Sequence, residues 1–318
     1  MIQRLLSAIF SFCAAGFLAA QAAPPAPGSV GTVDLLTLAS DPFLVEALYR
    51  QPKHLGSPGN ATGAVSVNAQ FEADGVTPWF IEQQRYGVDH VQAGVVLKKP
   101  DMVETGLREL GWGFAHQGPD GSFPGTGDPV HSTSFFLEAA ARWMANADTD
   151  PKKRVNALNP YTHRFFVRAA ALGETAALTG DKALAQAAAA YAREGLTKQL
   201  PDGTNPEKGG FDVSYQMVGL TYAMCYYSVC GDPTLRAGLK TMAGKALASA
   251  LPKVNADGTV SLEGSTRVGQ EQSRSGVTKT LDMKNILTGL IFADRSLGDP
   301  QFRNTAQRIA RGNGWIGK

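Results

Sequence analysis

Apolar and polar positions along this chain repeat as helix-like stretches separated by two alternating kinds of connection. One kind is tight: Gly180-Asp181, Gly231-Asp232 and Gly298-Asp299 each close one apolar stretch and open another. The other is long and polar, built around Asp120-Gly121, Asp202-Gly203 and Asp257-Gly258. Glycine permits the left-handed turn that ends a helix, and aspartate accepts hydrogen bonds from the free N–H groups that start the next. The pattern therefore predicts tandem helical hairpins. The expected helices cover about 79–98, 101–116, 132–145, 161–179, 181–199, 212–229, 233–251, 276–297 and 300–311. One or two short helices are expected over 33–50, an exposed loop over 56–68, and an irregular repeat over 148–160, where Pro151 and Pro160 leave little room. Strand-like alternation is missing, so the fold class is all-α.

The long connections of such an assembly gather at one end, where a rigid scaffold presents loops and a site is expected. The span from Gly180 to Gly231 is shorter than that from Gly231 to Gly298, and the excess lies in the long loop. A solenoid of constant repeat would not behave this way. An (α/α) toroid of about five to six hairpins, complete or incomplete, accounts for it.

The first residues change the picture of where the chain works. Arg4 precedes an apolar run from Leu5 to Ala20, followed by the small-x-small site Ala20-Gln21-Ala22. This reads as a cleaved secretory signal over residues 1–22, the run being shorter than the ~20 apolar residues of a membrane span. Residues 23–75 are then an amino-terminal extension with short helices, and 76–318 the toroid catalytic domain. The expected location is periplasmic or secreted, with no membrane association after cleavage. The formal net charge of +2 includes Arg4. The mature chain is thus nearly neutral, which argues against nucleic acid as a partner. Cys225 and Cys230 sit five apart in a helix-like stretch, too far for a disulfide, and read as buried apolar side chains.

The segments Thr179-Gly-Asp-Lys-Ala-Leu, Cys230-Gly-Asp-Pro-Thr-Leu, Leu297-Gly-Asp-Pro-Gln-Phe and Gly210-Phe-Asp-Val-Ser-Tyr-Gln resemble those of the six-hairpin carbohydrate enzymes. That group includes alginate-lyase-like and heparinase-like polysaccharide lyases and several glycoside hydrolases. The resemblance runs from about Trp79 to Trp315. It implies a toroid whose loops hold an acidic polysaccharide or oligosaccharide.

The densest polar constellation is the run from Glu207 to Gln216, in which Asp212, Ser214 and Tyr215 enter a helix together. Tyr215, Gly219, Tyr222 and Tyr226 share a helical face by spacing. They would form an aromatic wall if that face lines a cleft, or core packing with Asp212 or Ser214 as the cap if it does not. His131 opens another helix, with Glu138 and Arg142 on its face, and can exchange a proton near neutral pH. His90 reads as packed, and the spacing of His54, His116 and His163 calls for no metal. The third long loop carries Arg267, Glu271 and Arg274, with Lys279 just inside the following helix, suited to carboxylate or sulfate groups or simply solvated.

For β-elimination, Gln216 with Arg267 or Arg274 would neutralise a uronate carboxylate, with His131 as base and Tyr215 as acid. Glu207, Asp212, Tyr222, Lys279 and Asp128 would bind substrate. No metal and no cofactor are expected. Two alternatives stay open: inverting hydrolysis by a carboxylate pair drawn from Asp212, Asp128, Glu207 and Glu82, and a non-catalytic module that binds polysaccharide or protein.

Overall fold

The computed structural model describes residues 41–141, 161–273 and 276–317. The expected signal segment, Arg142, the irregular repeat over 148–160 and Arg274 lie outside them. The described residues are helical, with isolated β-bridges such as Val254 with Val260 in place of strands. None of their helices is long and apolar enough to cross a membrane.

Short helical turns over Pro42–Leu44, Val45–Tyr49 and Pro52–Leu55 precede α1 (Val67–Asp74). The sequence pattern assigned the start of α1 to a loop. A 3-10 turn (Ile81–Arg85) runs directly into α2 (Tyr86–Leu97), and α3 (Pro100–Ala115) follows with Pro100 in its first turn. Next come α4 (Pro129–Ala141), α5 (Thr162–Thr179), α6 (Lys182–Lys198), α7 (Val213–Val229), α8 (Pro233–Ala250), α9 (Met283–Leu297) and α10 (Gln301–Gly312).

The tight turns follow the predicted chemistry, with one departure. Asp181 accepts from the N–H groups of Ala183 and Leu184, and Asp232 from those of Thr234 and Leu235. Gly180 and Gly298 are left-handed, both at φ 73°, whereas α7 ends on Cys230 in an extended conformation and Gly231 needs no positive φ. Each turn places an amphipathic helix against a more deeply buried one: α3 on α2, α6 on α5, α8 on α7 and α10 on α9. The outer partners show the spacing of one-sided burial, as in α10, where Phe302, Thr305, Ala306, Ile309 and Ala310 face inward. By contrast α7 is enclosed on every side, so its tyrosines do not form a distinct exposed stripe.

The buried helices contact one another in chain order. The turn before α2 meets α4, α4 meets α5, α5 meets α7, and α7 meets α9. The main core lies among them and contains Phe165, Phe166, Leu220, Met224, Leu287 and Phe292. A smaller core surrounds Trp79, Leu110, Trp112 and Phe136. Cys225 and Cys230 are free and buried, as their spacing implied.

The first and last of these helices are joined as well. Lys284 of α9 pairs with Asp89 of α2. Asp41, ahead of the first turn, accepts from Arg295 of α9 at 2.7 Å and from Arg303 of α10 at 2.9 and 3.1 Å. Close by, His54 stacks on Trp315 with ring centroids 3.7 Å apart.

The long loops share a construction. Gly203 and Gly258 adopt φ 89° and 87°, each preceded by an aspartate whose Oδ1 accepts from the N–H two residues on. Each glycine lies on the backbone of the next outer helix: a Cβ would stand 2.2 Å from Lys245 O at Gly203 and 2.0 Å from Arg308 O at Gly258. Only glycine permits both that φ and that approach. Gly63, in a segment without the Asp-Gly signal, does the same at φ 101°, where a Cβ would lie 2.4 Å from Arg108 O.

Candidate functional site

A side-chain amide clamps each of these three loops. Gln216 Nε2 donates to Gly203 O at 2.9 Å and Ala246 O at 3.2 Å, and its Oε1 accepts from Asn205 N. Gln84 Nε2 donates to Gly63 O and Glu109 O, and its Oε1 accepts from Val65 N. Asn313 serves the third loop from beyond α10, donating to Gly258 O and Ile309 O. Gln216 is fully buried and also donates to Ser249 Oγ, so its amide has no donor left for a substrate carboxylate. The expected neutralising role gives way to a structural one.

Asp212 is likewise occupied. One oxygen caps α7 through the N–H groups of Ser214 and Tyr215, and the other accepts from Arg267 N and Val268 N at 2.8 Å each. It is fully buried, and it fastens the third loop to the start of α7. That attachment places Arg267 over the Tyr215 ring, 3.7 Å from guanidinium carbon to centroid. The same guanidinium donates to Glu207 at 3.3 Å and to Glu271 at 3.1 Å.

Tyr215 is half-buried, and among the described residues its hydroxyl makes no hydrogen bond. Burial pushes its phenol up to about 12, with Arg267 pulling the other way. The His163 ring lies 4.8 Å from the Tyr215 ring, centroid to centroid. His163 is fully buried, bonded through Nδ1 to Glu207 at 2.8 Å, while its Nε2 has no partner among the described residues. Burial holds the imidazole below its ordinary pKa against the opposing pull of Glu207. The same Glu207 oxygen accepts from the His163 backbone N–H at 3.0 Å.

His131, at the start of α4, lies 6.0 Å from His163 between ring centroids. Its Nε2 is 3.4 Å from Glu82, which also accepts from Ser132 Oγ. His131, His163, Tyr215 and Arg267 thus follow one another at 6.0, 4.8 and 3.7 Å across α4, α5, α7 and the third loop. Lys279 Nζ stands 5.5 Å over Tyr215 and donates to Glu271 at 2.6 Å. Glu271 also pairs with Lys208. Although burial acts against it, the hydrogen bonds of Lys208 and Lys279 and the charge of Arg267 bring its carboxyl down to about 2.

The remaining candidates lie further out. Asp128 pairs with Arg164 at 3.1 Å, and Arg164 in turn covers Tyr161. Tyr222 is buried, edge-on to Phe135 at 5.6 Å, and lines a separate cavity. His163 went unrecognised in the sequence because its partner Glu207 is 44 residues away. Its start-of-helix position, the same as that of His131, was the one signal available. His90 is packed as expected, 2.8 Å from Glu109. Among the described residues, Glu138, Glu174 and Cys225 are the one group whose ligand atoms, all within 4.8 Å, could surround a cation, and all three are buried.

No protein-family model matches this chain, and no curated protein matches it.

Proposed function

We propose that this chain is a secreted (α/α)-toroid enzyme that cleaves an acidic, uronate-containing polysaccharide by β-elimination. The toroid reading is supported by the chain-order contacts from α2 to α9, together with the Lys284–Asp89 pair and the amino-terminal turns that bridge its ends. The observation that carries the chemistry is Tyr215 packed against both the Arg267 guanidinium and the His163 imidazole.

Elimination needs a base for the C5 proton, a positive field on the C6 carboxylate, and an acid for the departing oxygen at C4. Tyr215, with its pKa at about 12, keeps its proton at neutral pH and can give it to the leaving oxygen. His131 takes the C5 proton, the C5–H electrons form the C4–C5 double bond, and the C4–O bond breaks. Arg267 and Lys279 supply the positive field, and Glu207 and Glu271 fix their positions. His163 acts as a positioning residue between His131 and Tyr215, since it is too enclosed to touch a polymer.

Inverting hydrolysis has less support. It needs two available carboxyl groups on opposite sides of the bond, whereas Asp212 is held by backbone N–H groups and Glu207 by His163 and Arg267. Ultraviolet absorbance followed over time with alginate, polyglucuronate, pectate and glycosaminoglycans tests the proposal. A rise reports the conjugated double bond. New reducing ends without a rise would replace elimination with hydrolysis, and neither signal would leave a binding module.

A further inference from the structure

Between the amino-terminal turns, α2, α7 and α9 lies a cavity of about 360 Å³ that the proposed reaction does not use. Its volume is at the small end of the ~300–1,000 Å³ of small-molecule sites. Lys284 and Asp89 meet at its wall, a donor and an acceptor side by side. Tyr86 and Tyr222 add rings, and Trp315, backed by His54, adds an indole.

Arg85 also lines this cavity. Its guanidinium donates to Glu82 O and to the Tyr86 hydroxyl, each at 3.2 Å, and lies 4.7 Å over the Tyr86 ring and 5.2 Å over Phe135. Among the described residues no carboxylate comes within ion-pairing distance of it. Glu82 and Asp282 act on it only through space, and Asp282 is occupied in capping α9. A cation drawn out of water onto aromatic rings without a direct counter-ion is costly, and a bound anion relieves that cost. The planar guanidinium matches a carboxylate with two parallel N–H bonds. Hydroxyl groups, which both give and accept, suit the paired Lys284 and Asp89.

We propose that this cavity binds a monomeric sugar acid, its carboxylate on Arg85 and its hydroxyls on Lys284 and Asp89. The inference shares with the proposed function the expectation of an acidic sugar, but it does not depend on elimination. A chain that binds a uronate here yet yields no unsaturated product would keep this site and lose that reaction.

The test is calorimetric titration of the full chain with glucuronate, galacturonate and mannuronate, with glucose and acetate as probes lacking the carboxylate or the hydroxyls. At least one uronate should bind about tenfold or more tightly than either, as a charge-assisted pair implies. Arg85→Gln should remove that margin. Because Arg85 also supports the turn around it, Thr288→Tyr serves as a second variant that fills the cavity and leaves the guanidinium in place. It should abolish uronate binding in a chain with native circular dichroism, while Tyr215→Phe and Arg267→Gln should retain it. Absence of uronate binding to the unaltered chain, equal binding of glucose, or undiminished binding by natively folded Thr288→Tyr would each overturn the proposal.

Discussion

Gln84 and Gln216 make the same bonds from two different repeats: each donates to a loop glycine carbonyl and to an outer-helix carbonyl, and each accepts from the N–H two residues beyond that glycine. Removing Gln216 strands the buried Asn205 N–H, and removing Gln84 strands that of Val65. Gln216→Ala should therefore lower unfolding free energy by about 3 kcal/mol, the cost of leaving such groups unpaired, read as a lower urea midpoint. Turnover per folded molecule should change little. A loss of turnover at unchanged stability would return Gln216 to the substrate.

Tyr215→Phe keeps the ring under Arg267 and removes only the hydroxyl. Under the proposed reaction the rate should fall by about 10²–10⁴, the range for losing a general acid, with the near-ultraviolet dichroism preserved. Full activity in this variant would exclude Tyr215 as the acid.

His163 makes stability depend on pH. Its folded-state pKa lies below the ordinary value of about 6.5, so on acidification the unfolded chain takes up the proton first. The stability linked to neutral His163 is fully present above about pH 6.5 and is lost as pH falls from there toward the folded value. Urea midpoints of the unaltered chain and of His163→Gln, compared between about pH 8 and pH 5, should differ by a constant amount at the upper end and converge at the lower. A constant difference throughout would mean that His163 is not held neutral by burial.

Glu271 responds in a lower window. Its folded pKa of about 2 lies under the ordinary carboxyl value, so its contribution is present above about pH 4.5 and declines as pH falls toward about 2. Glu271→Gln should loosen the loop that carries Arg267 and Lys279, seen as faster protease cleavage between residues 262 and 279 at neutral pH. Cleavage as slow as in the unaltered chain would show that the bonds to Asp212 and Glu207 secure the loop without Glu271.

Asp41 joins the start of the described chain to α9 and α10. Asp41→Asn should leave Arg295 and Arg303 without their shared carboxylate and expose residues 41–56 to proteolysis before the helices that follow. Simultaneous digestion of the whole chain would argue against that local role.

What was legible in the sequence follows from the range of the interactions. Asp181, Asp232 and Pro100 act within their own turns, so their spacing alone located α6, α8 and α3. The start of α1 escaped because Ser66 supplies no capping hydrogen bond, and the Gly-rich run before it hid the boundary. The all-round burial of α7 escaped because tyrosine spacing says which residues share a face but not how many faces are covered. In the site, Tyr215 and Arg267 were singled out by type, yet their contact depends on Asp212 reaching across to residues 267 and 268. Gln216 looked chemical for the same reason that it is structural: an amide beside a tyrosine can serve a substrate carboxylate or a backbone carbonyl, and only the packing of Gly203 on Lys245 decides between them.

The three loop clamps also bear on how the chain comes apart and how it can change. Each binds a loop to an outer helix through buried backbone carbonyls, so a hairpin cannot leave without breaking its neighbour's bonds. Such coupling favours one cooperative transition over the peeling of single units. It also marks where length can vary at little cost: an insertion beside Gly63, Gly203 or Gly258 would shift a carbonyl away from its amide, whereas one at the exposed Gly180-Asp181 turn disturbs only a local cap.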